Sequence, residues 1–294
     1  MSSEVQRLVR TGDTLLRLTD LKWADPNDFR AERTVILIHG FTSHGYYLQE
    51  LGDFIQSFGY QVFIFNYNSF RGISIAADSL KDFLNRYDRK LKGVISANRV
   101  FLVAHSMGGL VARVLALDSG VGRMVRGIAM LGTPNDGCFP SARWLSYLIQ
   151  YGEHLSGFMP EASSAACLSA KECIKADTDR ERPLIDRLND RWAVQSMSCP
   201  PSMSASGGKR FLTLSRNKLK NWLANQMIQA EIGDQDNDGL VTEKSVDMQS
   251  AITLKPDHQY RHFNSYPYYL DLNHTSLTQN QTLALEVVGW LDQL

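Results

Sequence analysis

The sequence predicts an α/β fold in which a mostly parallel sheet is covered by helices on both faces. The first observation is a set of short, continuous apolar runs, as in strands that are buried on both sides. These runs occupy residues 34–38, 61–65, 99–104 and 126–131. The second observation is the helical periodicity of the segments between them, which alternate with the strands as in parallel sheets. These segments are 47–58, 75–91 and 110–117.

Length and composition agree with one domain of this class. The chain has 294 residues, of which 44% are hydrophobic and 21% charged, so a sizeable core is available. Lys and Arg together number 31, as do Asp and Glu, and the net charge is zero. A neutral chain gives no overall electrostatic reason to bind nucleic acid or an anionic membrane, although it leaves a local patch open.

The alternation of strands and helices breaks between Cys138 and Gly208, in a stretch rich in Ser, Ala and Cys. We interpret 138–208 as a lid-like insertion, partly helical, within a single domain of residues 1–294. It is expected to lie over the carboxyl edge of the sheet. The alternation resumes weakly with strand-like runs at 210–214 and 258–263, and a last helix is expected at about 276–291.

All four cysteines fall close to or inside this insertion, and no pair has the C-x-x-C spacing of zinc or redox sites. They are Cys138, Cys167, Cys173 and Cys199. Two interpretations stay open: four thiols in a reducing compartment, or one or two disulfides in the insertion. The polar N-terminus has no apolar segment typical of a signal peptide, and no run is long enough to span a bilayer. A cytoplasmic location is expected, with a secreted mature form as the alternative.

The strongest local signal is Ser106, within the sequence Ala104-His-Ser-Met-Gly108 where a strand meets a helix. A serine on so tight a turn needs small neighbours two positions away on either side, and Ala104 and Gly108 meet that need. The turn lifts the hydroxyl above the sheet, and the amide of Met107 begins a helix. These features predict a nucleophile, in preference to an ordinary serine at a strand–turn–helix junction.

A second signal, His39-Gly40-Phe41, follows the first strong strand. Enzymes that transfer acyl groups hold a developing oxyanion with fixed backbone amides. Beside Ser106, we interpret the amides of Phe41 and Met107 as such an oxyanion hole.

The serine also needs a base, and seven histidines are available. His105 is expected to leave its strand on the opposite face from Ser106, and His39 to pack near the site. His274 is favoured because it lies in a loop just before the last helix, and His258 is the next candidate.

Three aspartates crowd together at Asp234, Asp236 and Asp238 before Gly239. Asp238 is favoured as the acid that orients the base. One alternative is a calcium loop, since the spacing matches the start of an EF-hand, but position twelve is Ser245 instead of the bidentate glutamate. No metal is therefore assigned. The other alternative is a plain acidic surface turn.

At these residues the sequence resembles the α/β-hydrolase superfamily, and within it the lipases and carboxylesterases. The matching segments follow the family's order, with serine before aspartate before histidine. They are 39–41, 104–108, 131–134, 238–241 and 273–274. The resemblance covers roughly residues 33–137 and 210–294, and the Ala104 at the elbow replaces the more usual glycine. It implies a doubly wound sheet of about eight strands, ester hydrolysis without a cofactor, and Asp238 as the acid.

The substrate is less defined, because one fold supports many functions. Apolar residues of the insertion are expected to line an acyl groove or to pack the insertion onto the sheet: Phe139, Trp144, Leu145 and Leu148. A groove would suit long-chain acyl esters, with transient contact at a lipid interface. A thioesterase, an amidase or an acyltransferase with the same three residues is the alternative. A non-catalytic lipid-binding or partner-binding module is less favoured.

Overall fold

The computed structural model describes residues 13–22, 24–25, 29, 33–138, 172, 183–195, 198–213, 217–265, 269 and 271–294. Within these ranges seven strands form one sheet. In chain order they are β1 (Thr14–Arg17), β2 (Thr34–Ile38), β3 (Gln61–Asn66), β4 (Val100–His105), β5 (Val125–Leu131), β6 (Ser202–Ala205) and β7 (Tyr260–Phe263). The order across the sheet is β1-β3-β2-β4-β5-β6-β7, and every neighbouring pair is parallel except the edge pair β1 and β3.

Helices cover both faces of this sheet. They are α1 (Gln49–Ser57), α2 (Ile73–Lys90), α3 (Val94–Asn98), α4 (Met107–Ala116), α5 (Leu184–Gln195), α6 (Lys218–Ile232), α7 (Glu243–Val246), α8 (Met248–Ala251) and α9 (Gln281–Asp292). Within the described ranges, no helix is both long enough and apolar enough to cross a bilayer.

The central strands divide their side chains between two cores. In β2 all positions are buried; Ile36 and Ile38 join the core under α2, α4 and α5, while Val35 and Leu37 join the core under α1 and α9. This alternation explains the unbroken apolar runs in the sequence, because a strand covered on both faces needs an apolar side chain at every position. The predicted doubly wound, mostly parallel fold is confirmed.

Two details of the predicted sheet differ from the structure. The short antiparallel strand β1 was not predicted, although its residues Leu15 and Leu16 are apolar and buried. Residues 210–213 form no strand. The side chain of Asn225 takes the place of a neighbouring strand there, accepting from the Leu212 amide at 2.8 Å and donating to the Leu212 carbonyl at 2.9 Å.

The described parts of the predicted insertion 138–208 pack with the central layers of the fold. Helix α5 buries Ile185, Leu188 and Trp192 in the main core, and β6 is paired within the sheet between β5 and β7. Both elements belong to the central layers, since their apolar side chains complete the same cores. The expected groove residues Phe139, Trp144, Leu145 and Leu148 lie outside the described residues, as do Cys167 and Cys173. Cys199 is a buried free thiol.

A buried guanidinium connects α5 to the centre of the fold. Arg113 of α4 donates to the side chain of Asn189 at 2.8 Å and to that of Asn135 at 3.1 Å, and it lies 5.0 Å above the Trp192 ring. Burial lowers the pKa of Arg113 to about 9. The arginine therefore joins α4, the loop after β5 and helix α5 through neutral partners.

Candidate active site

Ser106 lies between β4 and α4, in a backbone conformation that residues with a side chain rarely adopt. Its φ is 54° and its ψ is −130°, in a region that is strained for any residue except glycine. Two contacts hold this turn: the Ser106 amide donates to the Leu131 carbonyl at 2.8 Å, and the Thr133 hydroxyl donates to the Ser106 carbonyl at 2.9 Å. The surrounding strands thus impose the strain that projects the hydroxyl above the sheet.

Two glycines near Ser106 are required because other parts of the chain pack too closely against them to leave room for a side chain. A Cβ on Gly108 would lie 2.4 Å from the Ile38 carbonyl oxygen, so β2 packs directly against the start of α4. A Cβ on Gly40 would lie 2.7 Å from the Ser106 Cβ. The loop after β2 therefore runs directly beside the serine side chain.

The amides of Phe41 and Met107 are available to an outside acceptor. Neither is a donor in any hydrogen bond among the described residues, and Met107 is the first residue of α4, where amides lack partners within the helix. The loop that carries Phe41 is fixed, because Thr42 donates to the Ser69 hydroxyl at 3.1 Å and Gly45 donates to the Asn66 side chain at 2.9 Å. Two fixed amides beside a serine can stabilise an oxyanion.

Asp238 and His274 form a buried pair. The Nδ1 of His274 lies 2.7 Å from Oδ2 of Asp238, and the His274 amide donates to the Asp238 carbonyl, also at 2.7 Å. The other carboxylate oxygen, Oδ1, accepts from the amides of Leu240 and Val241 at 3.1 and 2.8 Å. Because the carboxylate engages Nδ1, Nε2 is the ring nitrogen left to take a proton from another group.

Gly132, directly after β5, makes room for this pair. Its φ is +62°, and a Cβ there would lie 3.0 Å from Nδ1 of His274 and 3.1 Å from Oδ2 of Asp238. A side chain at this position would intrude between the end of the sheet and the acid–base pair. The glycine is thus needed for both its backbone conformation and its lack of a side chain.

His105 links the base to the serine turn. Its Nε2 donates to the His274 carbonyl at 2.7 Å, and the two rings are 4.8 Å apart. This contact places the base loop against the residue that precedes Ser106. In the described part of the chain the Ser106 hydroxyl forms no hydrogen bond with His274, and such bonds often tighten only when substrate is present.

This role of His105 was not predicted. We expected its side chain to leave the strand on the opposite face from Ser106 and gave it no role; it is buried against the loop that carries His274, and burial lowers its pKa to about 3. The sequence signal was only its position before the serine. Its partner is a backbone carbonyl 169 residues further along the chain, which no residue pattern reveals.

The other histidine candidates have different places. His39 lies beneath the loop that carries Phe41: Nδ1 donates to the Gly40 carbonyl, Nε2 accepts from the Tyr67 amide, and burial lowers its pKa to about 4. His258, the second candidate for the base, contacts the Ser202 hydroxyl at 3.1 Å. Ser202 begins β6, so His258 sits at the amino edge of the parallel sheet, opposite the edge that carries Ser106.

Of the three clustered aspartates, only Asp238 is buried. Asp234 and Asp236 are exposed, and Asp236 lies 3.8 Å from Arg210. Among the described residues, no three His, Cys, Asp or Glu side chains converge as metal ligands. Both oxygens of Asp238 already accept hydrogen bonds, so the geometry gives the calcium-loop alternative no support.

A supporting residue that the sequence did not reveal is Asn237. Its side chain exchanges two hydrogen bonds with the Gln229 amide, each 3.2 Å, and its Oδ1 accepts from the Gly239 amide at 2.9 Å. Gln229 belongs to α6. The loop that carries Asp238 is therefore held by that helix.

Fold and site together define a class of protein: a doubly wound α/β fold with a strained serine turn at the carboxyl edge of its sheet. The chain belongs to the alpha/beta hydrolase family, whose model matches residues 35–231. Ser106 falls inside this match, whereas Asp238 and His274 lie beyond it. No curated protein sequence matches the chain.

Solved structures show the same fold at low sequence identity. The mature form of the lipase BlEst2 from Bacillus licheniformis has a TM-score of 0.59 and 14% identity, over 90% of this chain and 93% of that one. A soluble variant of monoglyceride lipase from Saccharomyces cerevisiae, in complex with a substrate analog, has a TM-score of 0.53 and 13% identity. This match covers 96% of this chain and 91% of the yeast chain. Both of these structures are of proteins named as lipases, and at these sequence identities the likeness shows that the chain shares their fold.

Proposed function

We propose that the protein hydrolyses carboxylic esters, with Ser106 as nucleophile, His274 as base, Asp238 as the orienting acid, and the amides of Phe41 and Met107 as oxyanion donors. The observation that carries the proposal is the buried His274–Asp238 pair at 2.7 Å, held against the residue next to a strained serine. A strained turn and a buried carboxylate are costly for stability, and such features concentrate at active sites.

In the first half of the reaction, Ser106 Oγ attacks the acyl carbonyl carbon while Nε2 of His274 takes the hydroxyl proton. The carbonyl oxygen becomes an oxyanion that accepts hydrogen bonds from Phe41 and Met107. Asp238 keeps the imidazole in the required orientation and stabilises its positive charge. The imidazolium then donates its proton to the leaving alkoxide, which departs as an alcohol.

In the second half, the acyl group is bound to Ser106 as an ester. Water gives a proton to Nε2 of His274 and attacks the acyl carbonyl, forming a second oxyanion in the same place. The bond to Oγ breaks, the proton returns from His274 to the serine, and a carboxylic acid leaves. No cofactor is needed, because protons and electron pairs balance within these groups.

For the substrate class, we propose esters of long-chain acids, with Phe139, Trp144, Leu145 and Leu148 lining the acyl groove. The support is the apolar character of these four side chains and the names of two structural neighbours, a lipase and a monoglyceride lipase. Chromogenic esters of increasing chain length test this step. We expect kcat/KM to rise with acyl length, whereas a strong preference for acetyl esters would contradict the groove.

The central experiment is covalent labelling with an organophosphonate probe, followed by identification of the modified peptide. We expect one label on Ser106, and none in Ser106→Ala, which should fold normally and lose ester turnover. Ser57→Ala, a serine at the end of α1, is the matched control and should label and turn over like the unmodified protein. Near-normal turnover by Ser106→Ala would refute the proposal. Products formed in the presence of alcohol and thiol acceptors separate hydrolysis from acyl transfer.

A further inference from the structure

Although the whole chain is neutral, one segment is strongly basic. Residues 209–230 contain five Lys or Arg residues and no Asp or Glu. They are Lys209, Arg210, Arg216, Lys218 and Lys220. Arg210 is paired with Asp236 at 3.8 Å, but within the described ranges neither Lys218 nor Lys220 forms an ion pair. Positive charge is therefore concentrated where helix α6 begins.

The outward face of α6 is apolar. Leu219, Trp222 and Leu223 are 66%, 54% and 42% exposed, and Phe211, just before the helix, is 48% exposed. The inward face is already filled, because Ala224 and Ile228 are packed in the interior. The exposed apolar residues thus lie outside the core-facing side of the helix. We refer to Phe211, Lys218, Leu219, Lys220, Trp222 and Leu223 as the α6 surface.

The two lysines are not placed for the stability of the helix. Both lie in the first turn of α6, which has no acidic residue, although the helix dipole favours negative charge there. At 100° per residue, Lys218 and Lys220 flank Leu219 on its two sides, so the cations border the apolar face. A helix with Trp and Leu on one face and lysines at its borders is typical of peripheral contact with lipid.

The α6 surface adjoins the candidate active site. The Asn273 side chain donates to the Phe211 carbonyl at 3.1 Å, and Asn273 immediately precedes His274. At its other end, α6 holds the Asp238 loop through Gln229 and Asn237. Whatever covers this surface therefore lies at the rim from which a substrate would approach.

We propose that the α6 surface docks onto a phospholipid bilayer that carries anionic headgroups. The charge complementarity selects an anionic surface, and Trp222 with its two leucines supplies the apolar contact. Docking would place the rim of the site at the membrane. The inference goes beyond ester hydrolysis and does not depend on it, since binding can be measured in a protein that lacks the serine hydroxyl.

The test is vesicle sedimentation of the full chain carrying Ser106→Ala, with phosphatidylcholine vesicles that contain or lack phosphatidylserine. We expect the partition coefficient to be about tenfold higher with phosphatidylserine and to fall as salt is added. The double variant Lys218→Gln/Lys220→Gln should lose most of this difference. Leu219→Gln/Trp222→Gln should lower binding to both vesicles by about tenfold or more.

Matched controls change the same chemistry elsewhere. Lys90→Gln/Lys92→Gln removes two exposed lysines at the end of α2, and Val194→Ser removes an exposed apolar side chain at the end of α5; both should bind within about twofold of the parent. Thermal melting confirms that each variant folds. Because all the substituted residues are exposed, the single variants Leu219→Gln and Trp222→Gln serve if a double variant unfolds.

Three results would overturn the proposal. The first is the absence of binding to either vesicle, which would leave the undescribed part of the chain as the cover of this face. The second is binding that the α6 variants retain in full. The third is a concentration-dependent dimer that the α6 variants abolish without any vesicle binding, which would make a second copy the partner.

Discussion

The nucleophile side and the acid–base side of the candidate site are built in different ways. Ser106 and Met107 are consecutive residues at one strand–helix junction, and the strain of the turn is imposed by the sheet itself. Asp238 and His274 come from two loops, and 36 positions separate them in the chain. Backbone amides and His105 hold the two loops, and Gly132 leaves space for the pair. A short local sequence pattern is enough to encode the serine turn, whereas the His274–Asp238 pair depends on contacts between distant segments.

The difference has a physical basis in how far each constraint reaches along the chain. The serine turn needs small residues within two positions, and these are visible in any reading of the sequence. The acid–base pair needs space and hydrogen-bond partners supplied by other elements. Substitutions on the two sides are therefore expected to fail in different ways, and the following variants separate them from the largest effect to the smallest.

Asp238→Asn is expected to have the largest effect on the acid–base side. The amide leaves the size of the side chain unchanged but no longer stabilises the imidazolium, and kcat should fall about 10⁴-fold. The measurement is steady-state turnover of a soluble ester, with the melting temperature as a check of folding. Asp236→Asn, an exposed neighbour, is the control and should behave like the unmodified protein. A loss below tenfold in Asp238→Asn would remove this carboxylate from the mechanism.

Gly132→Ala tests whether the space beside the pair matters. The new Cβ would lie 3.0 Å from Nδ1 of His274, and a displacement of the base by a fraction of an ångström should lower kcat about 10²-fold. Gly233→Ala is the matched control, since Gly233 also has positive φ, +72°, but an added Cβ meets nothing within 4 Å. Both variants should lose about 1 kcal/mol of stability from backbone strain. Equal activity in the two variants would contradict the assigned role of Gly132.

His105→Phe is expected to have a smaller effect, because it removes a support of the base loop and leaves the reacting groups in place. We expect kcat to fall about 10-fold to 100-fold with little change in KM. His105→Gln retains an amide donor and should recover part of the loss. A purely structural role would instead lower the melting temperature of both variants equally without this difference in kcat.

A last prediction concerns the dependence of stability on pH, which is not an effect on turnover. Burial lowers the pKa of His39 to about 4 and that of His105 to about 3, from 6.5. Below pH 6.5 these two histidines become protonated in the unfolded chain, whereas in the folded chain they stay neutral. The stability contributed by the two neutral histidines is thus fully present above pH 6.5 and is lost as the pH falls toward the folded pKa values. The free energy of unfolding should fall by about 1.4 kcal/mol per pH unit for each histidine. Denaturant unfolding between pH 4 and 6 measures the slope.

The variant His105→Phe provides the control for this slope. It should reduce the pH dependence by about one proton over the same interval. An unchanged slope would show that His105 does not stay neutral in the folded state.

The central sheet was predictable because strands buried on both faces need unbroken apolar runs, and β2 was predicted with its observed bounds. Ser106 was recognisable because its constraints are local. The strand expected at 210–214 was wrong for 210–213, since the Asn225 side chain satisfies the Leu212 backbone instead of a neighbouring strand. The supporting roles of His105 and Asn237 were not predicted. Their partners are a distant backbone carbonyl and the side-chain amide of a helix residue, which no sequence pattern reveals.

Arg113 connects α4, the helix that follows Ser106, to α5, the helix that follows the undescribed segment 173–182. Its guanidinium reaches neutral amide oxygens on both sides, and α5 is packed in the core by Trp192. Helix α5 is therefore a fixed element between residues 139–182 and α4. Variation in that stretch is therefore expected to leave the Met107 amide in its position.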